Sequence, residues 1–488
     1  MVPFEIRLIL VFLAALFASL FVLPKIAHIA QRIGLVDHPG GRKIHSDPKP
    51  LIGGVGITIA TTFASLLFIP IAGLRGYFLG LSVLLFVGFL DDFKEIGHKQ
   101  KFLFQALATV VMIQFSKTAL VSFGDLFGMG SIDIPQADLL IWCITIFCVV
   151  GVTNAVNMID GLDGLAGGLT FIAFLMFAVH ASFAGERILV LLNLALAGAI
   201  LGFLRFNWYP ASLFMGDAGS LCLGFSLAFM SLALTQGDET HVRPIVALLI
   251  LAVPITDTIV VMTKRVIRGT NPFKADQYHL HHIILRHGVG RPGTARTILG
   301  MSILMGCCSL LSPLYGVADY WLFLIFVMYF ISCLAWSFYS DSFAKFSSDF
   351  RHKMSGGRVS RTLKPMLKVV DIFRVFRKSQ RYDVGLDCTC FLPESKDGCQ
   401  GLVLDISSGG FMACFNQFEQ DNGRMIVQIN FPSPHGMYSI KAPVMHIWRL
   451  GSAGEYYCGF RFLDFDGMQG SAVFQLLVRE KKWGTHYG

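Results

Sequence analysis

Long apolar runs limit most strongly what this chain can fold into. A helix that spans a bilayer needs about 20 apolar residues, because each residue adds about 1.5 Å and the hydrocarbon core is about 30 Å thick. The first 340 residues contain eleven runs of roughly this length, at 3–23, 51–70, 76–90, 102–121, 138–153, 167–184, 188–204, 219–235, 243–262, 297–315 and 320–338. The sequence therefore predicts an all-α polytopic membrane domain with about 11 transmembrane helices over residues 1–340.

The composition of the 488-residue chain excludes two classes of protein. Hydrophobic residues make up 54% of it and charged residues 15%, whereas an average soluble protein contains about 25% charged residues. With a mean hydropathy of +0.61, the chain is neither a soluble enzyme nor a disordered protein. The net charge is +8, and we interpret it by where the basic residues lie, which is beside the membrane. We therefore expect membrane lipids as partners and no DNA or RNA.

The basic residues of the loops predict the orientation in the membrane. With eleven spans, the five internal loops on one side contain 16 lysines and arginines, and the opposite loops contain 3. Because cytoplasmic loops carry the excess of positive charge, we expect a multi-pass membrane protein with its N-terminus outside and its C-terminal tail in the cytoplasm. The first run lacks a small-residue cleavage site, so it is interpreted as a span rather than a signal peptide.

Paired carboxylates lie where the third run leaves the bilayer on the predicted cytoplasmic side. Asp91 and Asp92 are adjacent, and Lys99 and Lys101 follow them. Adjacent carboxylates suit divalent cations or proton transfer, and lysines suit phosphates. A solvated helix end would show the same pair, so this stretch alone is a weak signal.

Residues 154–165 are far more specific. Asn154, Asn157, Asp160 and Asp163 recur every three positions, so they share one face of a helix or helical turn. Glycines among and after them allow a ligand to approach the backbone closely. Because a lipid-facing helix gains nothing from this pattern, it indicates an active site at the cytoplasmic face.

Two further stretches carry polar groups at the same face. Asp217 lies between glycines immediately before a spanning helix, where backbone amides suit a phosphate and the carboxylate suits Mg²⁺. His279, His281 and His282 lie in the most basic loop. No cysteine or third spaced ligand accompanies them, so contact with a diphosphate or sugar is favoured over zinc.

These stretches together resemble the bacterial polyprenyl-phosphate N-acetylhexosamine-1-phosphate transferases, which are undecaprenyl-phosphate GlcNAc-1-phosphate transferase-like enzymes of glycosyltransferase family 4. The resemblance covers about residues 1–300, in order, from the segments 42–45 and 53–54 to the histidines 279–282. The histidine pattern and the segment 42–45 are more similar to the O-antigen and enterobacterial-common-antigen branch than to the peptidoglycan branch.

The resemblance implies an activity. The enzyme would transfer an N-acetylhexosamine-1-phosphate, by default GlcNAc-1-phosphate, from a UDP-sugar to undecaprenyl phosphate. UMP would be released and cell-surface polysaccharide synthesis initiated. A phosphate monoester has a second pKa of about 6, so the attacking lipid phosphate is largely ionised without a general base. Direct attack and a covalent aspartyl intermediate both stay open.

The same resemblance implies a role for each matching residue. Mg²⁺, or Mn²⁺ in its place, would be held by Asp217 with Asn157. The essential pair that orients or deprotonates the lipid phosphate would be Asp91 and Asp92. The uracil would be held by Asp163 and Phe214, and the diphosphate would be lined by Asp160, Lys101 and His279. The expected catalytic set is thus Asp91, Asp92, Asp160, Asp163 and His279, and the substrate-binding set adds Asn154, His281 and His282.

The tail predicts a small all-β barrel behind a basic segment. Residues 341–376 are rich in lysine and arginine and are interpreted as a juxtamembrane linker attracted to anionic lipid, with a basic amphipathic helix over 365–377. Five strand patterns follow, at 384–392, 401–415, 424–431, 437–449 and 455–464, before a short helix that contains Phe474, Leu476 and Leu477.

Two motifs in residues 377–488 resemble a PilZ domain, the receptor module for cyclic di-GMP. Arg377 and Arg381 lie four apart before the first strand, and Asp405, Ser407 and Gly410 come at the second. The resemblance implies that the arginines clamp phosphates and guanine faces, while the second motif contacts guanine. Arginine suits both tasks through bidentate contacts and stacking.

Three other functions compete with a regulated transferase. A peptidoglycan-type phospho-MurNAc-pentapeptide transferase would share most of the motifs. A non-catalytic cyclic di-GMP membrane receptor would leave residues 154–165 unexplained, and a transporter would show midplane polar residues and an inverted repeat. The identity of the sugar, the polysaccharide pathway, the sign of regulation and a homodimer stay open.

Overall fold

The computed structural model describes residues 3–37, 48–94, 96–237, 242–267, 269, 279–286, 289–355, 382–391, 398–407, 410–415, 424–433, 436–450 and 456–462. The chain forms two compact units. One comprises most of the described residues up to Phe338, and the other comprises the described residues after it.

The first unit is helical. Besides helices, its described residues form a short antiparallel pair, β1 (Val36–Asp37) and β2 (Lys49–Pro50), and two isolated bridges, Leu51–Phe214 and Ser122–Asp133. A single 3₁₀ turn at Ile71–Leu74 precedes the third helix. The α-helices are α1 Phe4–Ile33, α2 Gly53–Phe68, α3 Arg75–Lys94, α4 His98–Ser116, α5 Asp138–Ile159, α6 Leu165–Phe183, α7 Arg187–Asn207, α8 Gly216–Thr235, α9 Pro244–Ile250, α10 Ala252–Ile267, α11 Leu280–Arg286, α12 Arg291–Ser309, α13 Leu311–Tyr315 and α14 Asp319–Ser355.

Each of the eleven predicted runs falls on a described helix or on the bent pair α9 and α10. By length and composition, eight helices within the described residues can cross a membrane, or nine if the bent pair is one span. The helix α2 is apolar but has only 16 residues. A polytopic helical domain is therefore confirmed, whereas the count of eleven spans stays a prediction.

The bend between α9 and α10 has a cause in the sequence. The two helices meet at an angle of 74°. Pro254, in the first turn of α10, has no N–H to donate, and its ring would clash with the carbonyl of Ile250 in a continuous helix. The helix breaks between them, which the apolar run alone did not predict.

Helices α7 and α8 are largely buried in this unit, with 15 of 21 and 15 of 20 residues buried. Small residues let neighbouring helices approach α7 closely, as is typical of membrane helix packing. A side chain at Gly198 would meet the backbone of Phe12 in α1, and one at Gly202 would meet Ser19.

The last helix is tied to α10 by a buried lysine. The ammonium of Lys264 donates to the carbonyl of Ser337 and lies 3.2 Å from its hydroxyl. Beyond this point α14 continues to Ser355, so the first part of the predicted linker is helical.

The second unit contains a closed six-stranded antiparallel barrel in the order β3-β4-β5-β8-β7-β6. Closure removes the exposed strand edges that invite aggregation. Its interior includes Val403, Phe411, Phe415, Val427 and Phe460. The strands are β3 Tyr382–Phe391, β4 Cys399–Ser407, β5 Gly410–Phe415, β6 Arg424–Ser433, β7 Gly436–Leu450 and β8 Tyr456–Phe462.

The predicted strand 401–415 is wrong in one respect. It is two strands, β4 and β5, paired so that Ser407 lies opposite Gly410 with two residues between them. A Ser-Gly pair at such a position is typical of a tight hairpin. The predicted helices at 365–377 and around Phe474, Leu476 and Leu477 lie outside the described residues.

Candidate active site

Lys101 joins carboxylates from two of the predicted motifs. Its ammonium forms ion pairs with Asp91 at the end of α3 and with Asp217 in α8, the second at 2.6 Å. The other Asp217 oxygen accepts from the amide of Asn157 in α5 at 3.3 Å. The Asp91 side chain is 5% exposed and that of Asp217 30%. Segments up to 126 residues apart in the sequence thus share one cluster, in which one lysine contacts two carboxyl groups.

The second carboxylate of the pair, that of Asp92, has a different environment. One of its oxygens accepts the backbone N–H of Asp217 at 2.7 Å, and the other accepts that of Ala218 at 3.1 Å. The first turn of α8 has no cap from its own side chains, so Asp92 caps this helix from α3. At Gly216, φ is +74° and a side chain would collide with the Asp92 carboxylate.

The loop before α8 is held from its other side by residues 50–54. Phe214 donates its N–H to the carbonyl of Pro50 at 2.9 Å, and its own carbonyl accepts the N–H of Gly53 at 3.0 Å. Gly54 lies directly against the backbone of Gly219. Phe214 itself is half-buried. The segment 53–54 therefore fixes the backbone on which Phe214 and Asp217 stand.

A second pair of loops is joined through Asp163 and Asn207. Asp163 accepts the N–H of Ala211 at 3.0 Å. The buried Asn207 accepts from Gly164 and donates to the carbonyl of Leu213, both at 3.0 Å. Asp163 and Phe214 therefore lie on two loops that are joined by these hydrogen bonds. Asn207 was missed in the sequence, where it is a single polar residue at the end of an apolar run.

The remaining polar residues of the 154–165 stretch lie in and just after α5. Asn154 donates to the buried Gln105 of α4 at 2.6 Å and to the carbonyl of Val150 at 2.7 Å. Asp160 follows the last residue of α5, and its side chain is exposed. Gln105 was also missed, and its only signal was a polar residue within an apolar run.

The three histidines stack together at α11. The rings of His279 and His281 are 5.7 Å apart and nearly parallel, and those of His281 and His282 are 4.2 Å apart. A side chain at Gly161 would collide with the His281 ring, so the histidines lie against the 154–165 stretch. Burial, and then the charges of His282 and His279, hold the pKa of His281 well below its ordinary value.

The His279 ring is held by Asp257, a buried carboxylate of α10. Its Nδ1 lies 2.8 Å from one Asp257 oxygen, and the other oxygen accepts the N–H of Leu280 at 2.7 Å. Asp257 was missed in the sequence, although an acidic residue within an apolar run is a signal in itself.

Within the described part of the chain, no group of three or more His, Cys, Asp or Glu side chains is arranged to hold a metal ion. Asp217 and the amide of Asn157 offer oxygen donors, which Mg²⁺ prefers. Mg²⁺ usually takes only one or two carboxylates and completes its shell with water and substrate phosphates. The chemistry of this donor set therefore fits such an ion.

The expected cyclic di-GMP residues fall in two groups. Asp405 and Ser407 lie near the end of β4, and Gly410 begins β5 beside them, so the three share one hairpin of the barrel. Arg377 and Arg381 lie outside the described residues.

Comparisons with known proteins divide the chain in the same way. Residues 74–235 match Glycosyl transferase family 4, and residues 376–479 match the PilZ domain. The chain is 30% identical over 333 residues to a probable undecaprenyl-phosphate N-acetylglucosaminyl 1-phosphate transferase of Bacillus subtilis, covering 66% of this chain and 89% of that protein.

Two further matches are similar in kind. An Escherichia coli undecaprenyl-phosphate alpha-N-acetylglucosaminyl 1-phosphate transferase is 34% identical over 267 residues, covering 53% of this chain and 71% of that protein. Among solved structures, the PilZ domain with c-di-GMP of YcgR from Escherichia coli covers 23% of this chain and 98% of its own, with 16% identity and a TM-score of 0.18.

Proposed function

This chain belongs to the family of undecaprenyl-phosphate N-acetylglucosaminyl 1-phosphate transferases, and from that premise we propose that it transfers GlcNAc-1-phosphate from UDP-GlcNAc to undecaprenyl phosphate. The transfer releases UMP and initiates a cell-surface polysaccharide. Other N-acetylhexosamines are alternative sugars at the same site. The active site and the PilZ domain lie in the cytoplasm, and the N-terminus of this inner-membrane protein lies outside.

The observation that carries this proposal is the position of Lys101 between Asp91 and Asp217. Both substrates are anions, so a site for them needs positive charge beside its acidic residues. Lys101 supplies one such charge at the point where α3, α4 and α8 meet. When a diphosphate binds, the Lys101 ammonium can contact its anionic oxygens as well as the carboxylates of Asp91 and Asp217.

The residues around this cluster bind different parts of the UDP-sugar. Phe214 stacks on the uracil and Asp163 accepts a hydrogen bond from it; their loops are fastened together through Asn207. His279 and Lys101 contact the diphosphate. Asp217 and Asn157 would hold Mg²⁺, which when bound would neutralise phosphate charge and stabilise the leaving UMP.

The reaction exchanges one P–O bond for another. An oxygen of the lipid phosphate attacks the β-phosphorus of the UDP-sugar. The bond from that phosphorus to the bridging oxygen breaks, and UMP leaves with the electron pair. The nucleophile is already ionised at neutral pH, so Asp91 orients it through Lys101 rather than removing a proton. Asp92 acts on the backbone of α8, where both of its oxygens are engaged.

The PilZ domain adds control to this proposal. We expect cyclic di-GMP to bind at Arg377, Arg381 and the β4–β5 hairpin, and to change the rate of transfer. The matched PilZ region supports a nucleotide effector.

One assay separates the candidate functions. Purified protein in detergent receives undecaprenyl phosphate, Mg²⁺ and either UDP-GlcNAc or UDP-MurNAc-pentapeptide, and UMP is measured. UMP release with UDP-GlcNAc supports the proposal, and release with only the peptide substrate supports the peptidoglycan branch. Cyclic di-GMP binding without any UMP release would support a non-catalytic receptor. The Asp138→Asn variant, altered at the opposite end of α5 from Asn157, serves as a control for handling.

A further inference from the structure

Asp257 is a buried acid that none of the motifs contains. It lies in α10, is 5% exposed, and stands between Thr256 and Thr258 in a stretch that is otherwise apolar from Ala252 to Met262. A carboxylate in such a place is costly unless its oxygens are satisfied. Both are: one lies 2.8 Å from Nδ1 of His279, and the other accepts the N–H of Leu280 at 2.7 Å.

We propose that Asp257 is a positioning residue that fixes His279 for the diphosphate. A carboxylate at Nδ1 favours the tautomer with its proton on that nitrogen, which leaves Nε2 to meet the substrate. The proposal rests on the proposed function, since it takes His279 as a residue that contacts the UDP-sugar.

The second contact of Asp257 fixes the helix as well as the ring. Leu280 begins α11, which contains only seven residues, and its N–H is one of the donors that a helix leaves unpaired at its start. By accepting it, Asp257 anchors the first turn that carries His281 and His282. One side chain therefore sets both the rotation of His279 and the position of the histidine stack relative to α10.

A merely structural acid would destabilise the protein without acting through His279, so the test is a double-mutant cycle. Full-length protein in detergent is assayed for UMP release from UDP-GlcNAc, as Asp257→Asn, His279→Ala and both together. Asparagine keeps an acceptor for Leu280 but presents its N–H₂ to the ring, which favours the opposite tautomer. We expect kcat/KM to fall about 10- to 100-fold in Asp257→Asn, and less than about twofold when the same change is made in His279→Ala.

A matched control is Asp319→Asn, which changes another buried acid. Asp319 begins α14 and forms an ion pair with Arg243 at 3.0 Å. It is expected to leave kcat/KM unchanged. Equal losses from Asp257→Asn in both backgrounds, or wild-type turnover in Asp257→Asn, would overturn the proposal.

A second measurement keeps this proposal separate from the proposed function. The ¹⁵N spectrum of histidine-labelled full-length protein, with His279→Gln used to assign the ring, reports which nitrogen carries the proton. We expect Nδ1–H in the wild type and its loss in Asp257→Asn. If the wild-type His279 ring carries its proton on Nε2, the role of Asp257 is overturned, whether or not the protein releases UMP. Wild-type protein with Nδ1–H but no UMP release contradicts the proposed function instead.

Discussion

The Asp92 carboxylate accepts the backbone N–H of Asp217 at 2.7 Å, although the two residues are neighbours only in space. The adjacent Asp91 instead pairs with Lys101. Two carboxylates that are consecutive in the sequence therefore make different contacts, one with the backbone of α8 and one with the side chain of Lys101.

This difference predicts distinct phenotypes for the pair. Asp92→Asn loses one of two capping acceptors and the negative charge at the start of α8, so Asp217 is held less firmly. We expect UMP release to fall about tenfold, with a higher Mg²⁺ concentration for half-maximal activity. Asp91→Asn should lower kcat and leave the Mg²⁺ requirement unchanged. Magnesium titrations of both variants make the comparison, and an equal shift in the two would contradict it.

Asp217→Asn tests the metal site itself. The variant removes the charged oxygen donor while Asn157 and Lys101 remain, so we expect transfer to fall about 100-fold or more at any Mg²⁺ concentration. Yield in the membrane fraction and thermal stability should stay near those of the wild type. Normal turnover in this variant would remove Asp217 from the metal site.

Phe214→Ala tests recognition of the uracil. Stacking of a base on an aromatic ring contributes about 1–3 kcal/mol, so the KM for UDP-GlcNAc should rise about tenfold or more while that for undecaprenyl phosphate changes little. Phe63→Ala, which removes an exposed ring on α2, is the control and should change neither. Equal increases for both substrates in Phe214→Ala would mean that the ring only packs.

Asn207→Ala tests the hydrogen bonds that join the loop of Gly164 to the loop of Leu213. It leaves the N–H of Gly164 and the carbonyl of Leu213 without their partner, and an unsatisfied buried group costs about 1–3 kcal/mol. We expect a lower midpoint of thermal unfolding in detergent, and a raised KM for UDP-GlcNAc. An unchanged midpoint would show that water replaces the amide.

Cyclic di-GMP should alter turnover in the wild type and have no effect in the Arg377→Ala/Arg381→Ala double variant, whose basal activity stays that of the wild type. If the dinucleotide changes the affinity for UDP-GlcNAc by some factor, UDP-GlcNAc must change the affinity for the dinucleotide by the same factor. Titration calorimetry in both orders measures this. Binding that is lost in the double variant, with turnover identical in every condition, would contradict direct control.

The sequence predicted the components of the site better than the contacts among them. Asp91, Asn157 and Asp217 were recognisable because each stands in a local pattern of polar residues and glycine at a membrane boundary. Asp257, Gln105 and Asn207 have no such pattern. Each lies in or beside an apolar run and outside any glycine-rich motif. Its partner is decided by which helices pack together.

The boundaries of the helices and strands show the same difference between local patterns and tertiary packing. The barrel strands were predicted from alternation and turn residues, which are local. The break at Pro254 and the continuation of α14 to Ser355 depend on how a whole helix continues beyond its apolar part. Hydropathy does not report this.

The contact between Lys264 and Ser337 bears on how α14 can move. Moving a buried ammonium away from its acceptors costs several kcal/mol unless new acceptors replace them. The contact therefore resists rotation of α14 against α10, the helix that also carries Asp257.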